Sequence, residues 1–327
     1  MSRCPVAFID PLESIWGFHV HQELPEPLLP KALVVQQRCR EYLLSRGVAV
    51  DHDDVMEAGY GPHLQCMWEL RVESLPSRRA VLKELGEVVA FVAVNRAGLP
   101  AYVHPTRQDS GLPTIEELRQ EGLLNQPQAV WFGARVPQFQ EFFFNPPLTP
   151  HGDVADTRTQ RVMPLEKREG LLRQGVEQWT AEGYPAPAVA PHDKLIRGFH
   201  VHVDFLEEQT ALAYDVFDHL VTYLLEHGVR PSSTRLYGAG ENGPHVQKGW
   251  EVKFEYRDAA TTHDALGVTL GWLMCNRHGL NVFAHGVTWE EGDIAEELKA
   301  HREYAFFIGA LPPLDLTFFV KRLPRRE

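Results

Sequence analysis

Cysteine is scarce in this chain, 4 residues in 327, at positions 4, 39, 66 and 275, with no Cys-x-x-Cys spacing. A thiolate metal site has no support in that pattern, and a chain of this size does not need disulfides, so reduced thiols are expected. Basic residues are also in deficit: 32 Lys and Arg stand against 44 Asp and Glu, a net charge of −12. Phosphate binding needs a basic face, and the main basic cluster, Lys321-Arg322-Leu323-Pro324-Arg325-Arg326, is terminal, so no nucleic-acid partner is expected. No run of about 18 apolar residues is present, and Met1-Ser2-Arg3-Cys4-Pro5 leads into acidic and proline residues rather than a hydrophobic signal core. The expectation is a cytoplasmic protein without membrane contact. No Gly-x-Ser-x-Gly elbow occurs, and the glycine-rich stretch Gly238–Gly243 lacks a following Lys-Ser/Thr, which removes serine-hydrolase and phosphate-loop chemistry.

What is present is a repeat. Gly17-Phe18-His19-Val20-His21 returns as Gly198-Phe199-His200-Val201-His202, an offset of 181 from His19 to His200. At or near that offset Tyr42-Leu43-Leu44 returns as Tyr223-Leu224-Leu225, Gly61-Pro62-His63 as Gly243-Pro244-His245, Asn95-Arg96-x-Gly98-Leu99 as Asn276-Arg277-x-Gly279-Leu280, and His104 as His285. The order never changes. Phe132-Gly133-Ala134 then matches Ile308-Gly309-Ala310 at 176, and both copies end in an aromatic run, Phe142-Phe143-Phe144 and Phe318-Phe319. The division is a first repeat over 1–145, a Pro- and charge-rich linker over 146–191 with a short helix near Leu165–Trp179, and a second repeat over 192–327.

Within each copy the period identifies the elements. Trp16, Phe18 and Val20 alternate with Gly17, His19 and His21, as Phe199, Val201 and Val203 alternate with His200, His202 and Asp204: a strand with its histidines on one face. Leu28, Ala32, Val35, Cys39 and Tyr42, and in the second copy Ala213, Val216, Leu220 and Tyr223, fall at helical spacing. A weak strand near Val55 or Leu236, a strand at 68–73 or 250–255 with its Trp in the core, a helix ending at Asn95 or Asn276, and a strand over Leu99–His104 or Leu280–His285 complete the copy. The fold class is therefore α+β, a tandem duplication of a ferredoxin-like βαββαβ unit. Its two antiparallel sheets are expected to pack as an intrachain pseudo-dimer, with the aromatic tails or the opposite sheet covering the histidine face.

Two histidines at i and i+2 of a strand can converge on one ion, since two residues rise about 6.6 Å. His200 and His202 are the expected ligands in the second copy, with His245 or His285 third. His19, His21, His63 and His104 form a second candidate site in the first copy. Glu251 and Glu69 are carboxylate candidates that would complete a two-His-one-carboxylate set. The histidines without repeat partners, at 52, 151, 192, 219, 227, 263 and 278, are expected in solvent.

These motifs resemble the DOPA 4,5-dioxygenase family of aromatic ring-cleaving enzymes. The resemblance is carried by Phe-His-x-His, Gly-Pro-His, Asn-Arg-x-Gly-Leu, Val103-His104-Pro105 and the run His301-Arg302-Glu303-Tyr304-Ala305-Phe306-Phe307-Ile308-Gly309. It implies extradiol cleavage of a catechol such as L-DOPA with O₂ at a non-haem Fe(II), or another divalent metal such as zinc as purified, with a histidine shuttling protons near its ordinary pKa. It also implies an oxidoreductase whose catalytic residues come from His245, His285 and His301, acting as a monomer or a homodimer. Two departures stand out: Gly286 follows His285 where the family has Pro, and Asn125 occupies the place of His301 in the first copy.

Two other readings fit parts of the sequence. A two-domain cupin would use His-x-His-x₄-Glu ending at Glu26 and Glu207, but a helical stripe begins straight after each glutamate. A non-catalytic tandem module would bind an aromatic small molecule without turning it over.

Overall fold

The computed structural model describes residues 7–57, 63–106, 128–135, 162–183, 195–256, 258–288 and 293–323. After a short helix α1 (Pro11–Ser14), the first half runs β1 (Gly17–Leu24), α2 (Leu29–Ser45), β2 (His52–Met56), β3 (Cys66–Val72), α3 (Arg78–Asn95), β4 (Ala101–Thr106) and β5 (Val130–Phe132). A connecting helix α4 (Leu165–Ala181) follows. The second half runs β6 (Ile196–Phe205), α5 (Thr210–Glu226), β7 (Ser233–Tyr237), β8 (Lys248–Glu255), α6 (Ala259–Asn276), β9 (Asn281–Thr288), α7 (Ile294–Arg302), β10 (Ala305–Ile308) and α8 (Thr317–Val320).

Alternation along β1 and β6 decides the layering. Phe18 and Val20, and Phe199, Val201 and Val203, are fully buried beneath α2, α3, α5 and α6, and Trp68 and Trp250 join them in that core. The histidines take the opposite face. Strand order within the halves is β2-β3-β1-β4 and β9-β6-β8-β7, the same arrangement read from opposite ends.

The halves meet differently from the expectation. Their sheets do not stack face to face; β5 and β10 pair with each other and with β4 and β9, giving one ten-stranded antiparallel sheet. Without those short strands β4 and β9 would present unpaired backbone groups, which pairing removes. On the helical side α3 and α6 cross at Gly86 and Gly267. A Cβ on Gly86 would stand 1.9 Å from the carbonyl oxygen of His263, and one on Gly267 would stand 1.8 Å from that of Leu82, so only glycine permits this approach.

That crossing also corrects the solvent placement of His263, which is buried with its Nδ1 2.8 Å from Glu87 Oε2. α6 is covered on nearly every side, so a polar side chain at the crossing needs a partner from the other helix, and Glu87 provides it. Asn-Arg-x-Gly-Leu turns out to be a turn. Ala97 and Gly98, like His278 and Gly279, are left-handed, and Arg96 and Arg277 donate to the carbonyls of Leu99 and Leu280. α4 packs on α2, with Arg168 on Asp53 at 2.7 Å and Arg38 over the buried Trp179 ring. Cys39 is a buried free thiol. Among the described residues no helix is long and apolar enough to cross a membrane.

Candidate metal centre

Each half gathers histidines on the face opposite its helices. In the second half strand register places His200 beside His285 and His202 beside Glu251. His200, His202 and His285 each offer a nitrogen within 4.8 Å of the others. His19, His21 and His104 do the same in the first half, with His19 beside His104 and His21 beside Glu69.

The hydrogen bonds behind the imidazoles fix which nitrogen faces inward. His200 Nε2 donates to Glu255 at 2.8 Å, and His285 Nδ1 donates to the carbonyl of Gly286 at 3.3 Å, because neither acceptor can donate. In a neutral imidazole this leaves the lone pair on Nδ1 of His200 and on Nε2 of His285. Both nitrogens of the buried His202 lack a hydrogen-bond partner, as does Oε2 of Glu251. Burial foremost, with the neighbouring imidazoles next, holds His202 well below the ordinary histidine range; for His285 burial and His301 act in the same direction. Three clustered imidazoles, outer nitrogens held by a carboxylate and a carbonyl, and a buried glutamate at 3.6–3.7 Å from His200 and His202 make a donor set that fits a divalent transition metal.

His245 is placed differently. It reaches in from the turn before β8, stacks on His202 with ring centroids 4.1 Å apart, and donates Nδ1–H to Asp204 at 2.9 Å. Tyr237 donates its hydroxyl to the same carboxylate at 2.6 Å, and burial and that carboxylate keep the phenol protonated. The remaining nitrogen of His245, Nε2, is buried with no partner. His301, on α7, lies over His285 at 3.9 Å; it donates Nδ1–H to the carbonyl of Glu297 and is pushed by burial down to about 3. Phe283 stacks beside it, and Phe319 of the C-terminal segment covers it at 4.8 Å, so the second aromatic tail does roof this face. The first tail, Phe142–Phe144, lies outside the described residues, as do Asn125, Gly61 and Pro62.

In the first half His63 stands with Nδ1 3.1 Å from Glu23 Oε2 and 3.2 Å from the Tyr102 hydroxyl. The backbone amides of Leu64 and Gln65 donate to the other oxygen of Glu23. The cupin glutamates are elsewhere: Glu26 and Glu207 are exposed at the start of one-turn 3₁₀ helices, because the chain leaves the sheet after β1 and β6. The carboxylates that meet the histidine cluster from the same strands are Glu23 and Asp204. Their signal was present, an acid two residues beyond the second histidine on the same strand face, His-x-His-x-Glu and His-x-His-x-Asp. Tyr102, Tyr237, Glu73 and Glu255 had no such signal, since turn and strand pairing bring them in.

This is an antiparallel sheet whose face opposite the helices carries a three-histidine cluster in each half, each backed by a carboxylate–histidine pair. The model of the Dopa 4,5-dioxygenase family matches residues 199–318. An uncharacterised 21.2 kDa protein of Botryotinia fuckeliana is 30% identical over 170 residues, spanning 50% of this chain and 80% of that protein. A crystal structure from Nostoc punctiforme PCC 73102, provisionally named a dioxygenase, is 26% identical over 39% of this chain and 95% of its own, with a TM-score of 0.29. The chain belongs to the Dopa 4,5-dioxygenase family.

Proposed function

We propose that the second half is the active site of an extradiol dioxygenase, opening the ring of a catechol such as L-DOPA with O₂ at ferrous iron held by His200, His202 and His285, with Glu251 alongside. The observation that carries this reading is the cluster of three histidines, each with a nitrogen within 4.8 Å of the others, inside the segment that the family model matches. Bound ferrous iron supplies the place where the diol and O₂ are held side by side and through which electrons pass to O₂.

The chain's own groups handle protons and water. Cleavage breaks the ring C–C bond beside the diol and puts both oxygen atoms into the product, so hydrogens are neither gained nor lost. One base that takes and returns a proton is sufficient. His245 suits that role: Asp204 holds Nδ1–H, which fixes the tautomer and leaves Nε2 to take a proton from the catechol hydroxyl and return it to the opened product. Phe283, Phe319 and the ring of His301 exclude water from the space above His285. In this reading the third ligand is His285 and the acid–base is His245, two roles the sequence left open.

The same reading takes the chain as a tandem duplication, a unit over 1–145 and another over 192–327 joined by 146–191, acting in the cytoplasm on a small aromatic substrate. Its test is anaerobic loading with Fe(II), then absorbance with L-DOPA and simple catechols in air, for the wild type and His200→Ala. A yellow ring-opened product that vanishes in the variant supports it. No product and no retained iron would sink it and favour a non-catalytic binding module.

A further inference from the structure

The first-half cluster lies beyond the matched segment and takes no part in the reaction above. We propose that it is a second metal site of this chain, in which His19, His21 and His104 hold a divalent transition-metal ion with Glu69 beside them. It cannot share an ion with the second half. Going from β1 to β6 crosses β4, β5, β10 and β9, five strand steps or about 24 Å at the usual spacing.

Its donor atoms are set as in the other half. His19 Nε2 donates to Glu73 at 2.7 Å, and His104 Nδ1 donates to the carbonyl of Pro105 at 3.3 Å, which leaves a lone pair on His104 Nε2. That atom lies 2.9 Å from His21 Nε2, and His21 Nδ1 is buried with no hydrogen-bond partner. Whichever tautomer His21 adopts, it keeps one nitrogen lone pair within the cluster. The ring is also held in place, stacked on Tyr102 at 4.7 Å, which itself stacks on Trp131 at 4.6 Å. Glu69, as buried as His21, brings Oε2 to 3.8 Å from His21 Nδ1. Three imidazole nitrogens and a carboxylate oxygen select a zinc-, cobalt- or ferrous-type ion over calcium or magnesium.

This site differs from its counterpart in the residue across from its central histidine. Tyr102 stands beside His21 where Phe283 stands beside His202, so a hydroxyl enters the first site and hydrogen-bonding distance to His63 follows. That one position is polar here and apolar in the second half, which separates holding an ion from holding an aromatic ring.

The test is titration of the metal-free full-length protein with Co²⁺, read by visible d–d absorption and by cobalt retained after gel filtration. The wild type is expected to take two equivalents, His21→Ala one, His202→Ala one and the double variant none. Should His21→Ala fail to fold by circular dichroism, His104→Gln replaces it with the same expectation. A wild type that saturates at one equivalent, or a folded first-half variant that still takes two, overturns the proposal. Ring cleavage is not part of the readout: two bound ions without turnover would remove the proposed reaction and leave this site standing.

Discussion

The two halves hold the same histidines in the same register but surround them differently. His19, His21 and His104 correspond in order to His200, His202 and His285, and both clusters are backed by a carboxylate that grips the turn histidine, Glu23 on His63 and Asp204 on His245. Around them Tyr102 replaces Phe283 and Arg71 replaces Lys253, and His301 and Phe319 roof the second site, their first-half counterparts lying outside the described residues. The nitrogens that would hold a metal are shared, whereas the residue beside the central histidine, Tyr102 or Phe283, is not. Donor atoms must meet an ion within tenths of an ångström, whereas a substrate pocket changes by single side chains.

The comparison breaks most sharply at the carboxylate. Asp204→Asn removes the acceptor that fixes the His245 tautomer, and ring cleavage should fall by about 10²-fold or more while bound iron stays constant. Glu23→Gln should cost less. Steady-state rates with metal analysis check both, and equal losses would mean that the first half contributes to the same reaction. Next comes the crossing of the halves. Gly267→Ala drives a methyl into the Leu82 carbonyl and Gly86→Ala drives one into that of His263, each costing about 1–3 kcal/mol or more as overpacking. Thermal melts of the two variants should drop together, since the contacts are near-mirror images.

Phe283→Tyr would give the second site the first site's hydroxyl. A several-fold rise in KM for the catechol, with iron still bound, is expected, and an unchanged KM would show that this position does not line the ring pocket. The smallest effect concerns helix starts. α6 is capped by Asp258 and α3 by Ser77. The backbone amide of Thr261 foremost, with the Thr261 side chain, lowers the Asp258 carboxyl below its ordinary value. A lowered folded-state pKa means stability present above the unfolded value of about 3.9 and lost as pH falls through the folded one. The gap in melting temperature between wild type and Asp258→Ala, which corresponds to about 0.5–2 kcal/mol at neutral pH, should close in acid. For Ser77→Ala it should not change with pH.

Much of this architecture was legible in the residues. Period-2 alternation marked β1, β3, β6 and β8, the 3.6-residue stripe marked α2 and α5, and the recurrence of four histidines marked the residues that cluster. The short strands β5 and β10 were not legible: three or four apolar residues, Val130–Phe132 and Ala305–Ile308, show no period that separates strand from helix. His263 was misjudged for a related reason, because its burial depends on a helix from the other half.

By itself the sequence determined which side chains share a strand face, because alternation is a local property of the backbone. It thereby put His19 with His21 and Glu23, and His200 with His202 and Asp204. Only the tertiary structure decided that His104 and His285 close the clusters, that Asp204 and Glu23 grip histidines from distant turns, and that the halves join edge to edge. Those are choices of register and partner between segments far apart in the chain, and they are set by which backbone edges and buried polar atoms remain to be satisfied once the strands have formed.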